Sequence, residues 1–128
     1  MGLKVIIAGS RTITQKHIVE NAFKEWFSNK NVFEIISGCA KGVDTLAISI
    51  AKDNNYDLVK FPAKWHDENG RLDKTAGFKR NMKMAEYADV LLAIWDGESK
   101  GTKHMIDSML LLRKPVVIVF HKVSDHFF

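Results

Sequence analysis

Apolar residues fall into short blocks that alternate between two periods. Leu3 to Ala8, rich in Val and Ile and stopped by Gly9-Ser10, reads as a buried strand. Thr14 is placed to cap a following helix, in which Ile18, Val19, Ala22, Phe23, Trp26 and Phe27 recur at helical spacing. Val32 to Ile36 predicts a second strand, stopped by Ser37-Gly38. Gly42 to Asn54 predicts a helix with Val43, Leu46, Ala47, Ile50 and Ala51 on one face. Leu58 to Phe61 reads as a third strand, ended by Pro62. Ala63 to Thr75, which holds Trp65, His66, Asp67, Asn69, Gly70 and Arg71, shows no clear period and reads as a long loop; its aromatic content favours a function for it. Ala76 to Ala88 is helical, with Phe78, Met82, Ala85 and Ala88 to one side, and Asp89 to Trp95 is a fourth strand. Thr102 to Arg113 is a helix with an inner face of Met105, Ile106, Met109 and Leu110. Val116 to Phe120, opened by Pro115, is the fifth strand, and the tail from His121 ends in Phe127-Phe128, a pair able to dock on the body or on a second subunit.

Strands therefore alternate with helices, and the strands are apolar runs rather than alternating patterns. That predicts an α/β fold in three layers: a five-stranded parallel sheet with helices on both faces. Right-handed crossovers favour a Rossmann-like order 3-2-1-4-5, with ligand expected beyond the carboxyl ends of the strands, at the switch between strands one and four. The 128 residues, 46% of them apolar, suit one domain spanning 1–128.

No apolar run approaches the roughly 20 residues of a membrane span, and Met1 to Lys4 leads into a stretch too short for a signal peptide. The lone Cys39 excludes an intrachain disulfide, so a cytoplasmic setting is expected. Nineteen basic against fifteen acidic residues leave +4, a mild preference for anions, but the cations are scattered and form no stripe. Nucleic acid is therefore not an expected partner. The five histidines lack zinc-ligand spacing, so no metal is expected. Leu110, Leu111 and Leu112 exceed what one face of a small sheet needs, which predicts a homodimer or larger assembly.

Three polar, glycine-bearing segments fall at the predicted ligand edge: Gly9-Ser10-Arg11-Thr12, Ser37 to Asp44, and Asp96 to Thr102. Glycine admits close backbone approach, and helix amino termini offer free N–H groups with partial positive charge to phosphate. Gly42 and Gly101-Thr102 open helices; Ser10, Ser37, Ser99 and Thr102 add hydroxyls; Arg11, Lys41, Lys100 and Arg80 add charge. A single such turn is ordinary, and three at one sheet edge point to a ligand. Neither a Walker A sequence nor G-x-G-x-x-G is present, which argues against an NAD dehydrogenase. Asp44, in the first turn of its helix, reads either as a complement to the helix dipole or as a ribose acceptor and general acid/base candidate. Trp65 and Trp95 read either as packing residues or as platforms for a base. Asn81 and Arg80 lie in the third helix, and Asp96 and Gly97 in the loop after strand four.

Gly9-Ser10-Arg11, Ser37-Gly38-Cys39-Ala40-Lys41-Gly42-Val43-Asp44, Ala76 to Met84, Ala88-Asp89 and Trp95 to Thr102 together resemble the SLOG superfamily, and within it the small YspA/YpsA-related domains of bacteria and their phages. The resemblance implies a Rossmann-like fold binding nucleotides or ADP-ribose-like ligands, with no further cofactor required. Its other branches are the LOG phosphoribohydrolases, which cleave an N-glycosidic bond, and the DNA-processing protein DprA, which suggests single-stranded DNA as an alternative ligand. In LOG enzymes a Gly-Gly-x-Gly-Thr-x-x-Glu segment carries a catalytic glutamate; here the corresponding Lys100-Gly101-Thr102-Lys103-His104-Met105 has Met105 in its place. A thioether neither accepts a proton nor stabilises developing positive charge as a carboxylate does. The resemblance therefore implies a binding module, acting as sensor or sequestering protein, in which Gly9, Ser10, Gly38, Gly101 and Thr102 cradle phosphate, Arg11 and Arg80 neutralise it, and Asp44 takes a ribose hydroxyl.

Overall fold

A computed structural model describes residues 2–122. Its elements run β1 (Leu3–Gly9), α1 (Lys16–Phe27), β2 (Val32–Ser37), α2 (Val43–Asp53), β3 (Asp57–Lys60), α3 (Ala76–Tyr87), β4 (Val90–Trp95), α4 (Lys100–Leu111) and β5 (Val116–Phe120). The sheet is parallel throughout, in the order β3-β2-β1-β4-β5. The Phe127-Phe128 pair lies outside the described residues.

The unbroken apolar runs are explained by two cores. Because successive strand residues face opposite sides, Val5, Ile7, Ile35, Leu92 and Ile94 point to the layer of α1 and α2, where Phe23, Phe27, Ala47 and Ile50 close over them. Ile6, Ala8, Ile36, Leu91 and Ala93 point to the layer of α3 and α4, under Met84, Ala85, Met105 and Met109. No helix among the described residues is long and apolar enough to cross a membrane.

Several local expectations are corrected. The α1 cap position is Gln15, with no side-chain cap bond, and Thr14 is exposed. Trp26 and Leu110 are exposed rather than on inner faces. In α3 the inward positions include Asn81 and Met84, while Phe78 stands outside and stacks on the His104 ring at 4.1 Å between centroids. Asn81 tolerates burial because its amide is fully engaged, as described below.

The segment expected to be a long irregular loop holds a small hairpin. His66 and Leu72 form an antiparallel bridge, and Asp67 Oδ1 accepts from the N–H groups of Asn69 and Arg71. Gly70 takes the left-handed conformation (φ 77°) that this turn requires. The Asn69-Gly70 pair was the signal for it.

Lys114 fixes α3 from its carboxyl end. Its ammonium donates to the carbonyls of Ala85 and Glu86 at 2.8 Å and of Ala88 at 2.7 Å, acceptors that no intrahelical donor reaches. Hydrogen bonds to a charged group are worth about 1.5–3 kcal/mol. Lys114→Met, which keeps most of the stem, is expected to lower unfolding free energy by about 2 kcal/mol in urea titration. An unchanged midpoint would mean that water replaces the ammonium at no cost.

Candidate functional site

The carboxyl ends of β1, β2 and β4 open on a cleft of about 180 Å³ lined by Gly9, Arg11, Asp44, Arg80, Asn81, Gly101 and Thr102, with Ala8, Ala40, Met84, Ser99 and Met105. Two of its walls, and the Gly42 turn outside its lining, follow directly from chain geometry. Gly9 ends β1 beside Ile94, its register partner on β4. Gly42 caps α2 at φ 78°, and a Cβ there would meet Ser10 O at 2.5 Å. The amino-terminal turn of α4, with its unpaired N–H groups, brings Gly101 and Thr102 to the opposite side.

Asp44 and Arg80 meet around Gly38. A Cβ on Gly38 would lie 2.8 Å from Asp44 Oδ2 and 2.7 Å from Arg80 Nη1, so glycine is what lets the two side chains reach this place. Arg80 Nη1 donates to the Gly38 carbonyl, and Arg80 Nε donates to Asn81 Oδ1 at 3.0 Å. Asn81 Nδ2 in turn donates to Gly101 O at 3.2 Å and sits 3.2 Å from His104 Nδ1. One buried amide thus ties the guanidinium on α3 to the first turn of α4.

Asp44 is 6% exposed, and its carboxylate accepts a long hydrogen bond from Ala40 N at 3.4 Å. Burial raises its pKa to about 6; Arg80, the backbone donors at Ala40 and Gly9, and Arg11 pull the other way without cancelling it. Burial likewise lowers the Arg80 pKa, opposed by Asp44. Arg11 is exposed at the rim.

Other residues singled out in the sequence stand behind the cleft or outside it. Ser10 is fully buried, and its Oγ accepts from Asp96 N at 3.0 Å, joining the β1 and β4 loops. Ser37 Oγ donates to Asp44 O at 2.7 Å and accepts from Cys39 N, which shapes the turn into α2. Asp96 Oδ1 accepts from Glu98 N and Ser99 N, both at 2.8 Å, and so organises the entry to α4. Trp95 stacks on Phe120 and donates from Nε1 to Ser99 O. Lys41 and Gly97 are exposed and outside the cleft lining. Trp65 is outside the cleft lining; its ring end and the Arg80 guanidinium lie 3.5 and 3.6 Å from where a Cβ on Gly77 would stand. Ser99, expected as a hydroxyl donor, lines the cleft; Ala8, Ala40 and Met84 line it without having been singled out as ligand contacts. Their apolar or generic types gave no signal apart from their place at strand ends and helix starts.

Fold and cleft define a Rossmann-like α/β protein with a glycine-lined, doubly basic site at the carboxyl edge of its sheet. The chain belongs to the YspA, cpYpsA-related SLOG family, whose model matches residues 3–67. No curated protein sequence matches it. Among solved structures it is similar to the DNA processing protein A (DprA) of Streptococcus pneumoniae, at TM-score 0.76 and 16% identity over 97% of this chain and 52% of that one. It is also similar to DprA of Helicobacter pylori, described for its single-stranded DNA binding mode, at TM-score 0.64 and 18% identity over 96% of this chain and 67% of that one. The chain thus spans about half the length of the first relative and two thirds of the second.

Proposed function

We propose that the protein binds a nucleotide or nucleotide-derived ligand, ADP-ribose-like in kind, at the carboxyl edge of its sheet and acts as a sensor or sequestering module. The observation that carries this reading is the convergence of Arg11, Arg80 and Asp44 with the helix amino terminus at Gly101-Thr102 on one cleft. Two cations and free N–H groups suit phosphate; a buried carboxylate suits a ribose hydroxyl. Met105, at the position of the LOG glutamate, lines the same cleft and is 1% exposed, so a thioether stands where that chemistry needs a carboxylate. The N-glycosidic hydrolase reading rests on Asp44 alone.

Single-stranded DNA is the second reading. The likeness to two DprA structures, one described for single-stranded DNA binding, bears against the expectation that nucleic acid is not a partner.

Native mass spectrometry of the purified protein is expected to show a co-purified nucleotide-class mass. Arg11→Ala is expected to weaken AMP binding about tenfold or more, the weight of one charge-assisted hydrogen bond of about 1.5–3 kcal/mol, while leaving adenosine binding unchanged. Calorimetric titration of both ligands checks this. Equal losses for the two would remove Arg11 from the phosphate site.

A further inference from the structure

The cleft is small for the ligand it is proposed to hold. Pockets that enclose a drug-sized ligand run about 300–1,000 Å³, against about 180 Å³ here. It has room for a phosphate or ribose-phosphate portion, with the rest of a larger ligand outside. On the other side of Arg80 lies a larger depression of about 890 Å³, between the end of β3, the hairpin around His66–Leu72 and the outer face of α3. Arg80 lines both spaces.

The cations of this groove are Lys60, Lys64, Lys79 and Lys83, with Arg80. Its acids are Asp67, Glu68 and Asp73. Asp73 is held by Lys79 at 2.7 Å, and Asp67 spends one oxygen on the backbone of its own turn. Lys60, Lys64 and Lys83 make no ion pair among the described residues and are exposed. Phe61 and Pro62 supply an apolar floor beside them.

We propose that this groove is a second phosphate subsite, joined to the cleft through Arg80, so that the ligand is longer than a mononucleotide and carries a second phosphate group along Lys64 and Lys83. The inference rests on the nucleotide reading of the cleft and names the ligand class: a nucleotide extended through a phosphate linkage, as a diphosphate-bridged sugar or as a further nucleotide.

The test is calorimetric titration of wild type and Lys64→Ala/Lys83→Ala with AMP, ADP-ribose and a 5′-phosphorylated adenosine dinucleotide. Both lysines are exposed, and circular dichroism checks that the double variant keeps its fold. Wild type is expected to bind at least one of the longer probes ten times more tightly than AMP. The double variant is expected to lose about tenfold on that probe and less than twofold on AMP. Loss confined to ADP-ribose identifies a diphosphate bridge, and loss confined to the dinucleotide a phosphodiester; either supports the subsite. AMP binding with no gain for either longer probe, or equal losses on all three probes, overturns the subsite and leaves the cleft reading intact. No binding of any probe to wild type overturns both.

Discussion

Gly9→Ala is expected to destabilise the fold strongly. Gly9 is the last residue of β1, in register with Ile94 of β4. A Cβ at this position would lie 2.1 Å from the Ile94 carbonyl oxygen, 3.0 Å from its carbonyl carbon and 2.8 Å from Val43 Cγ2. Two of the three obstacles are backbone of the central strand pair, and the third is a fully buried side chain at the start of α2. None can swing away as the tip of a flexible chain would. Overpacking a core costs about 1–3 kcal/mol, occasionally more. With a backbone collision this close, about 3 kcal/mol or more is expected, against a typical total of about 5–15 kcal/mol. Gly101→Ala is the matched control, since nothing lies within 4 Å of a Cβ added there. Chemical denaturation should find Gly101→Ala within about 0.5 kcal/mol of wild type, the usual range for uncongested surface sites. Two variants of equal stability would show that β1 and β4 part freely at their ends.

That contrast also marks how far the sequence could be read. The alternation of periods located the nine elements of the described residues within a few residues, and with right-handed crossovers it yielded the strand order found in the structure. Buried parallel strands announce themselves because both faces are apolar. The site was legible as a set of segments, but not as roles. Gly9, Gly38, Gly42 and Gly101 all read as places for a ligand to approach the backbone. In the structure Gly9 and Gly42 make room for the protein's own chain, Gly38 makes room for Arg80 and Asp44, and only Gly101 is open. Ser10 and Ser37 likewise brace the turns instead of lining the cleft. These distinctions depend on contacts between segments distant in sequence, which no local pattern encodes. The faces of α3 were misread for a related reason. Asn81 is buried because Arg80, Gly101 and His104 satisfy its amide, and a polar residue with such partners cannot be told from a surface one by period alone.

Asp44→Asn is expected to stabilise the protein near neutral pH while weakening the site. An acid whose pKa is raised from 3.8 to about 6 on folding binds its proton more tightly in the folded chain. Its contribution is fully present below about pH 4 and is lost as pH rises through about 6. The shift of about two pH units corresponds to about 3 kcal/mol at 1.36 kcal/mol per unit, net of the attraction to Arg80. Asparagine is nearly isosteric with the protonated acid and does not pay this penalty. The difference in unfolding free energy between variant and wild type should therefore be small at pH 4 and grow to about 3 kcal/mol in the variant's favour by pH 7. A difference independent of pH would place the Asp44 pKa near its ordinary value. A carboxylate kept at such a cost in a cleft beside two arginines is the residue most able to act on a ligand, so the same pair of proteins decides between binder and enzyme. With Met105 in the position that the LOG resemblance gives to glutamate, neither protein is expected to release free base from nucleoside monophosphates, and Asp44→Asn is expected to bind AMP several-fold more weakly, because its neutral amide oxygen is a weaker hydroxyl acceptor than a carboxylate. Multiple turnovers in wild type that vanish in Asp44→Asn would instead make Asp44 a general base and the protein a hydrolase.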